Sequence, residues 1–488
     1  MNILFAASEA FPFIKTGGLG DVMHSLPVAL NKLGNDVRLV LPAYRDVLAS
    51  VDTLKDLGTI DVPGAGVRHK VRIIQAHEDT LGDYLYLIDV PDLFDRPGNP
   101  YVHSDGYAWP DNAERYTVFS RAVALMAKWV PGSSWRPDVV HCHDWQTGLV
   151  PAFLSMVYNA PATVFTIHNL AYDGHFSHDD FNHLSLPSSW WSPDFAEFYN
   201  GFSMLKSGIV FSDHVTTVSP TYAKEICTTE FGNRFEGVLG SLGDKLTGIL
   251  NGIDLDVWNP LTDEYIAQNY SVTKKFTEGK SANKKDLLRR AGLAQSDAPL
   301  LGFVGRLAEQ KGVDLITDIL PQLFENTDAN MVVLGSGHMA YETDLINLAA
   351  RYPLRLHVHI GYSEELAHQI EAGADMFIMP SRFEPCGLNQ MYSLRYGTPP
   401  VVNNTGGLTD TVVDVSLQTL QNKTATGFVV KQADSETLYS TILSALELYK
   451  NTKLWQQLCK TAMQQELGWE ASAHEYQKLY QAEVDAKQ

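Results

Sequence analysis

The chain has 488 residues, enough for two or three domains with full cores, and its 45% hydrophobic content is ordinary for a soluble globular protein. A net charge of −20 argues against a general nucleic-acid or membrane-surface binder, because both need basic patches. Four scattered cysteines, Cys142, Cys227, Cys386 and Cys459, form no Cys-x-x-Cys pair, so neither a zinc site nor a disulfide framework is indicated and a reduced, cytoplasmic compartment fits. No stretch approaches ~20 continuous apolar residues, so no membrane span is expected, and residues 2–7 already read as a strand instead of a leader.

Taken in order, the first half alternates apolar runs with helical periods. Residues 2–7 predict a strand, Lys15-Thr16-Gly17-Gly18-Leu19-Gly20-Asp21 a glycine loop, and 21–33 an amphipathic helix. Strands follow at 36–41, 138–141, 163–167, 215–218 and 247–250, with 71–74 and 84–89 in a less regular insert. The composition of 91–112 and 172–200 predicts irregular, loop-rich segments, and the linker is expected near 259–262. The second half restarts the rhythm, with strands at 300–304, 331–334, 356–360, 376–379 and 400–402. Buried strands joined by helices mean two doubly wound α/β domains with parallel sheets. The expected domains are 1–258, 259–455 and a helical tail over 456–488, whose packing against the first domain the sequence leaves open.

The chemistry-bearing residues gather at strand ends. Lys15 beside three glycines, ahead of a helix N-terminus, suits a phosphate. The spacing is neither the dinucleotide fingerprint nor the P-loop pattern. Thr405-Gly406-Gly407-Leu408-Thr409-Asp410 repeats that loop with one change, which suggests a glycine loop in each half. Arg306 and Lys311 lie in a strand-to-helix turn, where cations are disfavoured unless an anion joins them. Glu384, in Glu384-Pro385-Cys386-Gly387-Leu388, is read either as a helix cap or as a ligand for sugar hydroxyls. His141 and His143 share a strand face and could hold a metal, but no third ligand is evident, and a hydrogen-bonding cluster for a hydroxyl-rich substrate is the better reading. His168 and Asn169 follow a strand directly. Asp254-Leu255-Asp256 reads as a turn ahead of a metal-binding pair.

These stretches resemble one family. Ser8-Glu9-Ala10 with the Lys15 loop, His143-Asp144-Trp145, Thr166-Ile167-His168-Asn169, Asn251-Gly252-Ile253-Asp254, Trp258-Asn259-Pro260, Gly305-Arg306-Leu307, Gln310-Lys311-Gly312, the 384–388 run and Thr405-Gly406-Gly407-Leu408 are similar to bacterial glycogen synthases and plant starch synthases, in order, from residue 1 to about 430. The resemblance implies a GT-B fold, two Rossmann-like domains with the active site in the cleft; because the basic residues are split between the halves, closure on the donor is expected. It also implies a retaining glucosyltransferase that needs neither metal nor cofactor and extends α-1,4-glucan (glycogen or maltooligosaccharide) from ADP-glucose; the choice of ADP over UDP rests on the resemblance alone. Carried over, Lys15, Arg306 and Lys311 hold the diphosphate. Gly18 and Asp21 line the loop, and His168 with Asn169 meets the glucose and phosphate. Glu384 with Cys386, Gly387 and Leu388 contacts the glucose hydroxyls, and Tyr362 stacks on adenine. Asn251, Asp144 and Tyr101 lie near the glucose and acceptor. Many retaining members carry a second Glu eight residues after the first; Tyr392 stands there in this chain, which leaves the ribose unassigned.

Overall fold

The computed structural model describes residues 1–78, 82–103 and 105–488. The chain forms two compact units, one of Met1–Gly252 with Trp469–Gln488 and one of Ile253–Gly468. The division therefore falls at 252/253, ahead of the expected 258/259. The expected tail is also divided: the Thr452–Met463 helix lies in the second unit and the Glu470–Ala486 helix in the first.

The strands are β1 (Asn2–Ala6), β2 (Asp36–Pro42), β3 (Thr53–Pro63), β4 (Arg68–Glu78), β5 (Gly82–Asp89), β6 (Val139–His143), β7 (Ala162–Ile167), β8 (His175–Phe176), β9 (Glu197–Phe198), β10 (Gly201–Ser203), β11 (His214–Thr217) and β12 (Leu246–Gly248) in the first unit. The second unit holds β13 (Leu300–Val304), β14 (Asn330–Gly335), β15 (Leu356–Ile360), β16 (Met376–Met379), β17 (Pro400–Asn403) and β18 (Phe428–Val430).

The first unit is built on a nine-stranded sheet in the order β12-β11-β7-β6-β1-β2-β5-β4-β3. From β12 to β5 every pairing is parallel, and β5, β4 and β3 continue as an antiparallel meander. Strand β1, in the interior of the sheet, is largely an apolar run, and its Ile3, Leu4, Phe5 and Ala6 are all buried. The expected less regular insert is the β3–β5 meander, with register shifts at Asp56/Gly58 and Ala76/Glu78. Strand β3 carries no apolar run because it is an edge strand, largely exposed on both faces. The segment expected to be loop-rich at 172–200 contributes β8 and β9, which pair with β10 in a small antiparallel sheet, and a helix at His178–His183 started by a Ser177–Asp180 capping box. A short helix, Pro91–Phe94, interrupts the other expected loop.

The second unit has one parallel sheet, β15-β14-β13-β16-β17-β18. Its polar opening segment contains the Phe276–Arg290 helix, which the weak patterning at 263–282 concealed.

In their parallel parts both sheets reverse strand order once. In the first, β1 stands between β2 and β6; in the second, β13 stands between β14 and β16. Ligands of open α/β sheets bind at the carboxyl ends of strands where the order reverses. The loops after β1 and β6, and after β13 and β16, hold most of the residues singled out from sequence.

Candidate functional site

In the first unit the glycine stretch is only half loop. The helix begins at Gly18 and runs to Lys32, with extended Gly17 as its cap, which has no side chain to offer its first N–H groups. Gly18 and Asp21 thus occupy its first turn, where the acid is favoured by the helix dipole. Lys15 Nζ donates to Asp21 Oδ1 at 2.8 Å, with both side chains partly exposed.

What shapes this loop is Glu9, to which the sequence reading assigned no role. Its buried carboxylate accepts from Thr16 N at 2.5 Å, Thr16 Oγ1 at 2.6 Å and Gly17 N at 3.3 Å. Tyr101 OH donates to the same carboxylate and lies 2.7 Å from Ser8 Oγ. Burial first, then the Glu9 charge, holds the Tyr101 phenol well above its usual pKa, so it acts as a donor. A polar pair, Ser8-Glu9, directly after the apolar run 3–7 is the signal available in the sequence.

Asp144 follows β6 with φ +58 and ψ 178, a backbone region costly for a side chain other than glycine. Its Oδ1 accepts from His168 N at 2.8 Å, tying the loop after β6 to the loop after β7. Burial pushes its carboxyl up to about 7 against the pull of the His168 and Asn169 backbone N–H groups. Burial likewise lowers the His168 imidazole to about 3, so both groups resist charging. Asn169 closes its own turn, its Oδ1 accepting from Ala171 N at 3.0 Å. His143 Nδ1 lies 3.0 Å from His168 Nε2, and His141 hydrogen-bonds Thr166 and Tyr480, so the His141/His143 pair is committed to protein partners. Asn251 is buried, with its Oδ1 unpartnered among the described residues.

In the second unit, Lys311 Nζ donates to Glu384 Oε2 at 2.5 Å. Glu384 is not a helix cap: the Asn389–Arg395 helix is capped by Leu388 and takes no side-chain bond at that end. The loops after β13 and β16 are stapled together. Arg382 forms a bidentate pair with Asp314 at 2.7 and 2.6 Å, its backbone N donates to Gln310 O at 2.8 Å, and Gln310 Nε2 reaches Phe383 O at 3.3 Å. Gly312 is left-handed at φ +65, and a Cβ there would collide with the Pro380 carbonyl oxygen. Arg306 Nη2 donates to Gln310 Oε1 at 3.1 Å. Gln390 holds the 386–388 backbone, its Nε2 3.0 Å from both the Cys386 and Gly387 carbonyl oxygens.

The repeated glycine motif behaves differently here. Gly17 and Gly18 are exposed, whereas Gly406, Gly407 and Leu408 are buried. Gly407 N donates to Glu384 O at 3.0 Å, and its lack of a Cβ leaves room for the Cys386 backbone. The second copy therefore supports the Glu384 loop from behind and is not a second open glycine loop.

Tyr362 is 73% exposed and its OH donates to Glu364. Tyr392 is buried, its ring stacked 3.7 Å from that of Trp258, whose other face stacks on His368 at 3.9 Å. The position where other members carry a glutamate is thus an aromatic packing site. Asp254 Oδ1 accepts from Asp256 N at 2.8 Å and Val257 N at 3.1 Å, which closes a turn.

The folds and the loops at their switch points define a GT-B glycosyltransferase. Residues 2–241 match the starch synthase catalytic domain model, and 284–462 match glycosyl transferases group 1. A glycogen synthase of Hydrogenovibrio crunogenus is 50% identical over 99% of this chain and 100% of its own length. Glycogen synthase 2 of Nitrosococcus oceani is 49% identical over 98% and 97%. The catalytic domain of starch synthase IV from Arabidopsis thaliana, bound to ADP and acarbose, superposes with a TM-score of 0.88 at 32% identity, covering 99% of both chains. Sucrose-phosphate synthase from Thermosynechococcus elongatus, at 17% identity and a TM-score of 0.61 over 99% of both chains, shares the fold. The chain belongs to the glycogen and starch synthase family. No helix among the described residues is long and apolar enough to cross a membrane.

Proposed function

We propose that the enzyme extends an α-1,4-glucan by transferring glucose from ADP-glucose to its non-reducing end, with retention of configuration and release of ADP. The observation that carries this reading is the Lys311–Glu384 pair at 2.5 Å, held in loops that converge at a strand-order switch. It sets a phosphate-binding cation beside a carboxylate suited to sugar hydroxyls. In the second unit Arg306 and Lys311 hold the diphosphate, and in the first unit Lys15 beside the helix N-terminus at Gly18 suits an anion. Glu384 and the 386–388 backbone bind the glucose, and Tyr362 offers an exposed ring to adenine. His168 donates to the glucose and phosphate, and Asn169, Asp144, Asn251, Tyr101 and Asp21 lie toward glucose and acceptor.

As the C1–O bond loosens, negative charge grows on the leaving diphosphate, where the cations stabilise it. The acceptor 4-hydroxyl attacks from the same face, and the departing phosphate takes its proton. This front-side displacement needs no covalent nucleophile, and the charge balance needs no cation from outside the chain. Four scattered cysteines with no Cys-x-x-Cys pair fit a cytoplasmic site for the reaction.

The test is ADP release on mixing ADP-glucose with glycogen, with and without EDTA and against UDP-glucose. Rapid, EDTA-insensitive release from ADP-glucose is expected. No release would overturn the reading; loss in EDTA would overturn the metal-free scheme, and a preference for UDP-glucose the choice of donor.

A further inference from the structure

Three histidines lie in file at the ends of β6 and β7. His141 and His143 point to the same side of β6, with ring centroids 4.0 Å apart, and His143 Nδ1 is 3.0 Å from His168 Nε2. Which nitrogens carry protons follows from what surrounds them.

The far end of the file is set by the C-terminal helix. Tyr480 is fully buried, and its OH lies 2.7 Å from His141 Nδ1, its hydrogen-bond partner. The phenolic proton has nowhere else to go, so His141 Nδ1 accepts it. His141 then carries its own proton on Nε2 and donates to Thr166 Oγ1 at 2.6 Å, which lies 2.6 Å from Thr216 Oγ1. Burial holds this imidazole well below its usual pKa, so no cation presses on the face of His143.

His143 is fully buried beside the Phe5 ring, 5.1 Å between centroids, and its Nε2 has no partner among the described residues. Two arrangements of the His143–His168 bond exist. If His168 donated, His143 would carry its proton on Nε2, an orphaned N–H buried against an apolar ring. If His143 donates, Nε2 is a bare lone pair, the less severe of the two because orphaned buried N–H groups are the rarer defect. The second arrangement leaves His168, a half-buried side chain, neutral with its proton on Nδ1, which has no hydrogen-bond partner among the described residues.

We infer that His143 is a positioning residue that fixes His168 as its Nδ1–H tautomer, so that His168 meets the substrate as a neutral hydrogen-bond donor to a sugar or phosphate oxygen. The inference rests on the proposed reading in which His168 contacts glucose and phosphate. In it His168 neither gives nor takes a proton during turnover, and His143 at the end of β6 sets its polarity from behind.

The experiment uses the full chain and three variants. His143→Asn places an amide donor near the Nδ1 position; His143→Gln reaches instead toward Nε2, and His143→Leu removes the donor. Long-range 15N–1H spectra of histidine-labelled wild type should show His168 protonated on Nδ1. In His143→Leu that signature should shift toward the Nε2–H form, and His143→Asn should restore it. With ADP-glucose and glycogen, the Leu and Gln variants should lose about tenfold or more in kcat, with glucan KM little changed and Asn recovering most of the loss. An Nε2–H tautomer of His168 in wild type overturns the inference whether or not any variant folds. Equal activity of Asn and Leu variants with matching melting curves overturns it as well. Absence of ADP release from wild type would instead strike at the functional reading, leaving the tautomer spectra to decide the role of His143.

Discussion

Lys311 and Glu384 meet at 2.5 Å although 73 residues separate them in the chain, and their side chains are only 18% and 8% exposed. Each comes from a loop at the carboxyl end of a strand beside the switch point of the second sheet, β13 for the lysine and β16 for the glutamate. The pair keeps an otherwise half-buried cation compensated until an anion arrives.

Lys311→Ala should therefore cost about 2–4 kcal/mol of transition-state stabilisation, read as kcat/KM for ADP-glucose, with the melting curve retained. Glu384→Gln keeps the volume and removes the competing charge. ADP should bind at least as tightly by calorimetry while kcat falls. Near-normal kcat/KM in Lys311→Ala would remove the phosphate assignment.

Glu9 accepts from three groups of Thr16 and Gly17 and from Tyr101. Glu9→Ala should destabilise the first unit by about 1–3 kcal/mol, because the hydrogen bonds to its buried carboxylate are lost, and should lower kcat/KM through a displaced Lys15. Tyr101→Phe removes one of those bonds and should cost about 1 kcal/mol. Urea unfolding followed alongside activity separates the two effects; an unchanged midpoint in Glu9→Ala would contradict the clamp.

Gly312→Ala meets both a left-handed backbone and the Pro380 carbonyl. The strain alone is about 1–3 kcal/mol, so the melting temperature should drop, and ADP affinity should weaken because Lys311 precedes it directly. Exposed Gly17, with nothing within 4 Å of a Cβ, should tolerate alanine far better in the same thermal assay.

The pH dependence combines two opposite signs. His168 is lowered to about 3 from the 6.5 it has when unfolded, with burial as the cause, so the unfolded chain takes up the proton first. Its contribution to stability is fully present above about pH 6.5 and is lost as pH falls toward 3. His141 and His143 are lowered by burial in the same direction. Asp144, raised by burial to about 7 from 3.8, contributes stability below its unfolded pKa and loses it as pH rises through 7. Within this cluster, three imidazoles against one carboxyl contribute acid destabilisation between about pH 6.5 and 4. Denaturation midpoints across that range should fall with pH, less steeply in His168→Asn and more steeply in Asp144→Asn.

Much of the architecture was readable from local pattern. Apolar runs such as Leu300-Leu301-Gly302-Phe303-Val304 became the central parallel strands because helices cover both faces. Edge strand β3 escaped notice because it buries little and so carries no apolar run. The second Thr-Gly-Gly-Leu copy was misread as another open loop. Identical residues there serve close backbone packing against Cys386, a use of glycine that looks the same in sequence as an open turn.

By itself the sequence determined the alternation of strands and helices, the polar residues at strand ends and, through ordered motifs, the family. These are local properties, written in side-chain periodicity and short runs. Only the tertiary structure decided which groups meet: Tyr101 on Glu9 across 92 positions, Tyr480 on His141 across 339, and Tyr392 stacked on Trp258 where a ribose-binding acid was sought. Such pairings depend on strand order and on the burial that makes each polar group seek a partner, and neither is encoded within any window of neighbouring residues.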